Sequence, residues 1–370
     1  SGADLSRASL HGADLSNTNL SGTNLSYVDL RQTCLRAADF SQAILFHANL
    51  SGTSLHSTLL FQTNLSGANL SRLDLSAFHL RGFQLRRANL RESDLSHADL
   101  SEADLYEADL SQANLSGANL SRASLRRANL SNATIRQANL RQTQLAQANL
   151  SRTDLSHSDL TETQMQDIDL STTILAFTNL QGLDLREMPL RGADLSHANL
   201  KGANLRGMDL SGTHLEYALL FGADLAQASL PQAKLSQANL EQADLTNANL
   251  SAAILSGAHL IRAKLLQTNC QRANLTWADL SEACARGADL REAYCLSIEV
   301  SRTDLSDALL DRANLSRAHG VETILRRASL ENILLKDATL ERVDLRGIPW
   351  LLIMELTLQP GVRLETPLYD

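Results

Sequence analysis

Histidine, cysteine and clustered carboxylates are the side chains in this chain that could ligate a metal, attack a carbonyl or move a proton. The chain holds 10 histidines, 4 cysteines and 41 aspartates and glutamates in 370 residues. Chelation requires donor atoms roughly 2.0–2.3 Å from one metal centre. Nucleophilic hydrolysis requires a serine or cysteine beside an oriented base. Cys34, Cys270, Cys284 and Cys295 form no C-x-x-C and no regular framework, so a reducing, cytoplasmic location is expected. Serine is abundant, but abundance marks a solvated face, and no serine belongs to a His–acid constellation. Whether any of these groups can meet depends on how the backbone carries them.

A period of five governs the backbone. From residue 5 to residue 350, 61 of the 70 in-phase positions are Leu. The exceptions are Phe40, Ile135, Met165, Cys270, Ala285, Cys295, Val300, Gly320 and Trp350. On a helix five residues advance about 500°, so no stripe forms. On a continuous strand an odd period throws alternate leucines onto opposite faces. A turn inside every unit resolves both conflicts, and the spacing predicts short sides joined by corners, with each leucine pointing inward.

Taking the leucine as position i, 16 of the 18 glycines fall at i+2, from Gly2 and Gly12 to Gly347, with Gly320 and Gly361 elsewhere. They are therefore corners rather than a phosphate-binding loop. A type II turn needs positive φ at its third residue, where glycine and then asparagine are cheapest. Asn17, Asn132, Asn247 and Asn332 share the slot, and Pro231 sits at i+1, which such a turn also favours. Charges set the number of sides. Arg262, Glu282, Arg302, Glu322 and Arg342 alternate in sign at steps of 20, as do Arg272, Glu292 and Arg312, and Arg87, Glu107 and Arg127. A coil of four repeats turns these into vertical ladders with neighbours about 4.8 Å apart.

Composition bounds the partners. The chain is 44% apolar but only 4% aromatic, so its core must be leucine and alanine. A net charge of −8 supplies no basic face for direct nucleic-acid binding. No apolar run approaches the roughly 18 residues of a membrane span. The chain opens on Ser1 in mid-repeat without Met, so the native N-terminus, with any targeting peptide, is expected upstream.

The recurring Ala-(Asp/Asn)-Leu-X-X unit, as in GADLS, QANLS and RANLS, resembles the pentapeptide-repeat proteins over residues 1–350. That resemblance implies an all-β, right-handed quadrilateral β-helix with i and i−2 facing inward. The i−2 column fits, with Ala at 41 of 70 positions and Thr next. At about 4.8 Å per coil, about 17 coils would form a rod about 84 Å long. Phe78 and Phe83, successive at i−2, imply a locally swollen or repacked cross-section, with plain core filling as the alternative. Residues 351–370, LLIMELTLQPGVRLETPLYD, are expected to cap the last coil. Two readings stand for this tail: capping alone, or capping with homodimerisation through the C-terminal end, as in some family members.

This path disposes of the chemistry. His157 and His197 share a column but lie two coils, about 10 Å, apart, too far to chelate unaided. Cys270 and Cys295 should lie in the core as small hydrophobes. A tube filled by its own side chains leaves no substrate cavity, so no enzyme activity and no catalytic, cofactor-binding or metal residues are predicted. Exposed apolar residues are the better lead. Ile44, Phe46, Leu59 and Phe61 are expected to form one patch. Phe177, Tyr217, Leu219 and Phe221 form a second candidate partner-binding group, within a corner column of His157, Phe177, His197 and Tyr217. Bracing of adjacent coils by these rings is the alternative.

Two functions follow. One is a non-enzymatic scaffold or regulatory protein-binding rod whose partner the sequence does not name; the resemblance includes a bacterial regulator of cell differentiation. The other, implied by members linked to fluoroquinolone resistance, is a DNA mimic that binds DNA gyrase or topoisomerase. The acidic stretch Asp94, Asp99, Glu102, Asp104, Glu107 and Asp109 favours mimicry. Against it, Arg81, Arg86, Arg87 and Arg91 precede that stretch, and Arg122, Arg126, Arg127, Arg136 and Arg141 follow it. Duplex DNA of that length carries on the order of 50 charges, far beyond −8. The loops that interrupt the helix in some gyrase-protecting members are also missing.

Overall fold

Each repeat turns on its i+2 residue. In the computed structural model, which describes residues 2–369, the amide three residues after nearly every in-phase leucine returns to that leucine's carbonyl, as Ala8 N–H does to Leu5 O at 3.1 Å. The backbone φ at i+2 is positive at glycines such as Gly202 (61°), and equally at Gln147 (61°), Arg152 (58°) and His197 (58°). The left-handed corner is therefore not reserved for glycine and asparagine. A non-glycine residue there costs on the order of 1 kcal/mol, which core burial and the ladder outweigh.

The Asp or Asn at i−1 closes the same corner. Its Oδ1 accepts the amide of residue i+1, as Asp14 does from Ser16 and Asp39 from Ser41, both at 2.9 Å. This Asx turn explains why the repeat needs a short polar side chain before its leucine.

Coils are joined by parallel pairing of i−1 residues 20 positions apart, from Asp4 with Asn24 to Ile324 with Asp344. One coil is thus four repeats. A typical rung has Leu100 N–H donating to Asn119 O at 2.8 Å and Asn119 N–H donating to Ala98 O at 2.9 Å. Most sides make only these isolated bridges. Three strands, β1 (His319–Val321), β2 (Thr339–Glu341) and β3 (Arg363–Glu365), form a parallel sheet in the order β1-β2-β3. The chain divides into two compact units, Ser1–Asn179 and Leu180–Asp370.

Leucine at i and alanine at i−2 fill the interior of each unit, with Leu100, Ala103 and Leu105 in one and Leu200, Ala203 and Leu205 in the other fully buried. Each buried leucine contributes roughly 1.5–3 kcal/mol. Threonine is tolerated at i−2 because its hydroxyl donates to a corner carbonyl, as Thr143 does to Leu120 O at 2.9 Å. Cys270 and Cys295 lie in the core as expected, and burial pushes the Cys270 thiol up to about 12 and raises that of Cys295.

Three places depart from the repeat, the first being the rungs of Asp169 to Asn149 and of Pro189 to Asp209, which are not formed. Around Phe78 and Phe83 adjacent coils separate, and the ladder between residues 52–62 and 71–81 is interrupted. At the C-terminal end the in-phase core stops at Leu345. Trp350 points outward and opens a helix, α1 (Trp350–Thr357), that buries Ile353 and Leu356. The chain is therefore not purely β. WLLIMELT lacks the corner-forming residues, places apolar side chains at helical spacing and follows Pro349, whose fixed φ ends the preceding corner. Strand β3 then pairs with β2, and Leu368 pairs with Asp344.

Candidate interaction surface

All eight candidate partner-binding residues, Ile44, Phe46, Leu59, Phe61, Phe177, Tyr217, Leu219 and Phe221, are exposed. Register decides which of them meet. Gln42 N–H donates to Phe61 O, while Ile44 pairs with Asn64 and His47 N–H donates to Ser66 O. Phe46 and Phe61 therefore occupy successive corners, with Ile44 on the side between them. Phe46 packs on His47 (4.3 Å between ring centres) and edge-on against Tyr27 (5.8 Å). Tyr27 stacks on His47 at 5.3 Å, with the Arg7 guanidinium 5.7 Å from the Tyr27 ring centre. Phe61, 66% exposed, instead walls a groove of 780 Å³ with Leu60, Phe78 and Phe83, rimmed by His79 and Arg81.

The corner column gives one stacked pair in each unit, His157 on Phe177 at 4.5 Å and His197 on Tyr217 at 4.8 Å. Tyr27, Trp277 and Tyr294 are further exposed rings, outside the two apolar groups that the sequence marks. Their signal was an aromatic standing alone in an otherwise polar column: Trp277, at i+2, follows Gly257 and precedes Ser297.

The charges are spent internally. Glu92 pairs with Arg72 at 2.9 Å, Glu102 with Arg81 at 2.9 Å, Asp104 with Arg86 at 3.3 Å and Glu107 with Arg87 at 2.7 Å. Asp94, Asp99 and Asp109 accept from the side-chain amides of Asn114, Asn119 and Asn129 at 3.0–3.1 Å. The acidic stretch is thus laced to the arginine bands one coil away. The ladder from Arg262 to Arg342 forms throughout, with Arg262–Glu282 at 2.7 Å, Glu282–Arg302 at 3.8 Å, Arg302–Glu322 at 3.2 Å and Glu322–Arg342 at 3.1 Å. Arg272 meets Glu292 at 2.8 Å, and Arg312 acts on Glu292 only through its longer-range charge.

Local donors lower the carboxylates. Hydrogen bonding from the Arg31 guanidinium holds Asp29 at about 2, from an ordinary 3.8. Asp344, 4% exposed, lies between Arg346 and Arg326, whose hydrogen bonds hold it far below the usual range. Among the described residues, no three histidines, cysteines or carboxylates are grouped to hold a metal ion. Nor is any helix among them long and apolar enough to cross a membrane.

The family model described as pentapeptide repeats matches residues 3–292 and 301–337. Among solved structures, HetL, a pentapeptide repeat protein involved in heterocyst differentiation regulation from the cyanobacterium Nostoc sp. strain PCC 7120, is 31% identical. That match covers 75% of this chain and 90% of HetL, with a TM-score of 0.18. QnrB1, a plasmid-mediated fluoroquinolone resistance protein, is 16% identical over 52% of this chain and 91% of its own, with a TM-score of 0.33. A pentapeptide repeat protein from the Arabidopsis thaliana thylakoid lumen is 27% identical over 43% of this chain and 72% of its own, with a TM-score of 0.10. No curated protein sequence matches. With corner, ladder and core all set by a five-residue unit that the family model follows along most of its length, the chain belongs to the pentapeptide-repeat family.

Proposed function

We propose that the chain is a non-enzymatic, rigid scaffold that binds another protein through exposed apolar side chains on its corners. Residues 1–350 would act as a right-handed quadrilateral β-helix, with residues 351–370 as its C-terminal cap. The observation that carries this reading is the exposure of Leu59 and Phe61 in one unit and of Tyr217, Leu219 and Phe221 in the other. Apolar groups in water favour contact with a partner, each contributing on the order of 1–2 kcal/mol when covered. The regulatory role in HetL's description is compatible with action by contact. The pairing of Glu102, Asp104 and Glu107 with arginines weighs against mimicry of duplex DNA, whose charge is uniformly negative. Trp350, Leu351 and Met354 on α1, and Leu358 just after it, are also exposed, which supports a homodimer through the C-terminal end.

Titration of the purified protein into a DNA gyrase supercoiling assay, with and without a fluoroquinolone, is expected to have no effect. Inhibition or protection at micromolar levels would overturn the scaffold reading in favour of the mimic. Light scattering should show a dimer that Leu351→Glu with Leu358→Glu converts to a monomer; a monomeric parent would leave the tail a cap alone.

A further inference from the structure

Building on the protein-binding reading above, we propose that the opening in the ladder of the N-terminal unit is a docking slot for one extended polypeptide segment. The slot would hold the segment by its main chain and select an apolar side chain flanked by carboxylates.

The opening is bounded on both sides. Leu50 N–H still donates to Asn69 O at 2.9 Å, and Leu65 N–H to Gln84 O at 3.0 Å. Between these rungs, Ser54 is not bridged to Asp74, nor Leu59 to His79. The amides of Leu55, Ser57, Leu60 and Gln62 lack the next-coil carbonyls that Gln42, His47, Leu65 and Gly67 reach, and Ser54 is unbridged to Cys34 as well. The cause lies in the core. The i−2 slot holds alanine in most coils, but here Leu73, Phe78 and Phe83 succeed one another. A phenylalanine cannot fit a space shaped for a methyl group without pushing its surroundings apart. Phe78 is accordingly only half-buried, and the coils part to leave the 780 Å³ groove, a volume typical of ligand sites.

Two properties of this groove select its occupant. Its walls carry main-chain donors and acceptors in β geometry, which a β-strand satisfies and an apolar small molecule does not. Phe61, Phe78 and Leu60 provide an apolar seat between those walls, while Arg81 and His79 rim it and no carboxylate lines it. Arg81 bonds Glu102 at 2.9 Å as an exposed pair, worth under about 1 kcal/mol, so an incoming carboxylate can share or replace it. An extended segment with acidic residues beside an apolar one complements all three features.

The test is selection of a displayed library of random dodecapeptides on the full chain, with counter-selection on Phe78→Ala/Phe83→Ala, whose restored alanines should close the ladder. Closure is read by hydrogen exchange, as new protection of the Leu55 and Leu60 amides. Surviving peptides should combine acidic and apolar residues. They should bind the double variant about tenfold more weakly, and lose about as much when alternate amides are N-methylated. Arg81→Glu, an exposed change that leaves the core untouched, should weaken them by about fivefold if the double variant fails to fold. Equal binding of N-methylated peptides, or of both variants, would overturn the slot. Peptides that keep binding both variants but are lost on Phe221→Ser would refute the slot while leaving the protein-binding reading intact. No enriched peptide on the parent chain would count against both.

Discussion

Asp344 holds the last coil together, and its replacement should loosen that end alone. Its carboxylate accepts Arg326 Nε at 2.6 Å, Arg346 Nε at 2.9 Å and Arg346 Nη2 at 2.7 Å, while its backbone pairs with Ile324 and Leu368. A net hydrogen bond to a charged group contributes roughly 1.5–3 kcal/mol when buried. The two guanidinium groups are about half exposed and regain water when the carboxylate goes. These three bonds, with the weaker Asx-turn bond from the Arg346 amide at 3.3 Å, should therefore be worth about 3 kcal/mol for Asp344→Ala. Asp344→Asn keeps one acceptor but loses the charge, and should cost about half as much. Because a solenoid's stability is a sum over neighbouring repeats, the loss should appear as fraying rather than as global unfolding. The assay is native-state hydrogen exchange of the Leu325 and Leu345 amides, which donate to Asp344 O and Leu368 O. Both should exchange faster by a factor of about 10 in the Asn variant, while Leu205 stays unchanged. A double-mutant cycle with Arg326→Ala isolates the pair. Unchanged protection at Leu345 in Asp344→Asn would refute the account of this carboxylate as a clasp.

Three further outcomes are expected. Gly202→Ala meets no atom within 4 Å but sits at a φ of 61°, so calorimetry should find it destabilised by about 1 kcal/mol from backbone strain alone. No measurable change would mean that the corner relaxes. Leu200→Ala, at a fully buried position, should cost about 3 kcal/mol in urea unfolding, and a cost below about 1 kcal/mol would show that the coil collapses onto the gap. Carboxylates with depressed folded-state values, such as Asp29 at about 2 against 3.8, contribute stability that is fully present above 3.8 and lost as pH falls through the folded value. Thermal midpoints should thus be level from about pH 7 to pH 5 and fall below about pH 4, with Asp29→Asn removing part of the fall; a midpoint that rises on acidification would contradict the sign.

The fold was legible because one residue type repeats in phase, and a leucine every fifth position admits few backbone paths. The positive-φ corner showed itself through glycine, and the coil of four repeats through charges spaced by 20. What escaped depends on contacts between columns rather than within one. Asp14 reads as surface charge until its Oδ1 is seen on the Ser16 amide. Phe46 and Phe61 lie close in any count of coils, yet corner geometry sends Phe46 to Tyr27 and Phe61 to the groove. The bulk of Phe78 and Phe83 left swelling, repacking and plain core filling open, because the choice between them depends on how far the neighbouring coils part. The helix at Trp350 was hidden because Trp350 still falls on the five-residue count.

Pairing at 20 residues, rather than at five, sets the step by which such a chain can grow or shrink. The core cannot tell one repeat from the next, so loss of Ser281–Ala285 would still place an apolar residue at each interior position. The surface can tell. Arg262 would then face Gly287 in place of Glu282, Arg272 would face Ser297 in place of Glu292, and everything beyond the cut in that unit would turn onto the neighbouring side. Removal of 20 residues would instead return each later column to its original side. Duplication and loss are therefore neutral for the surface pattern only in steps of four repeats, and a binding face spread over several coils survives only those changes that keep this count.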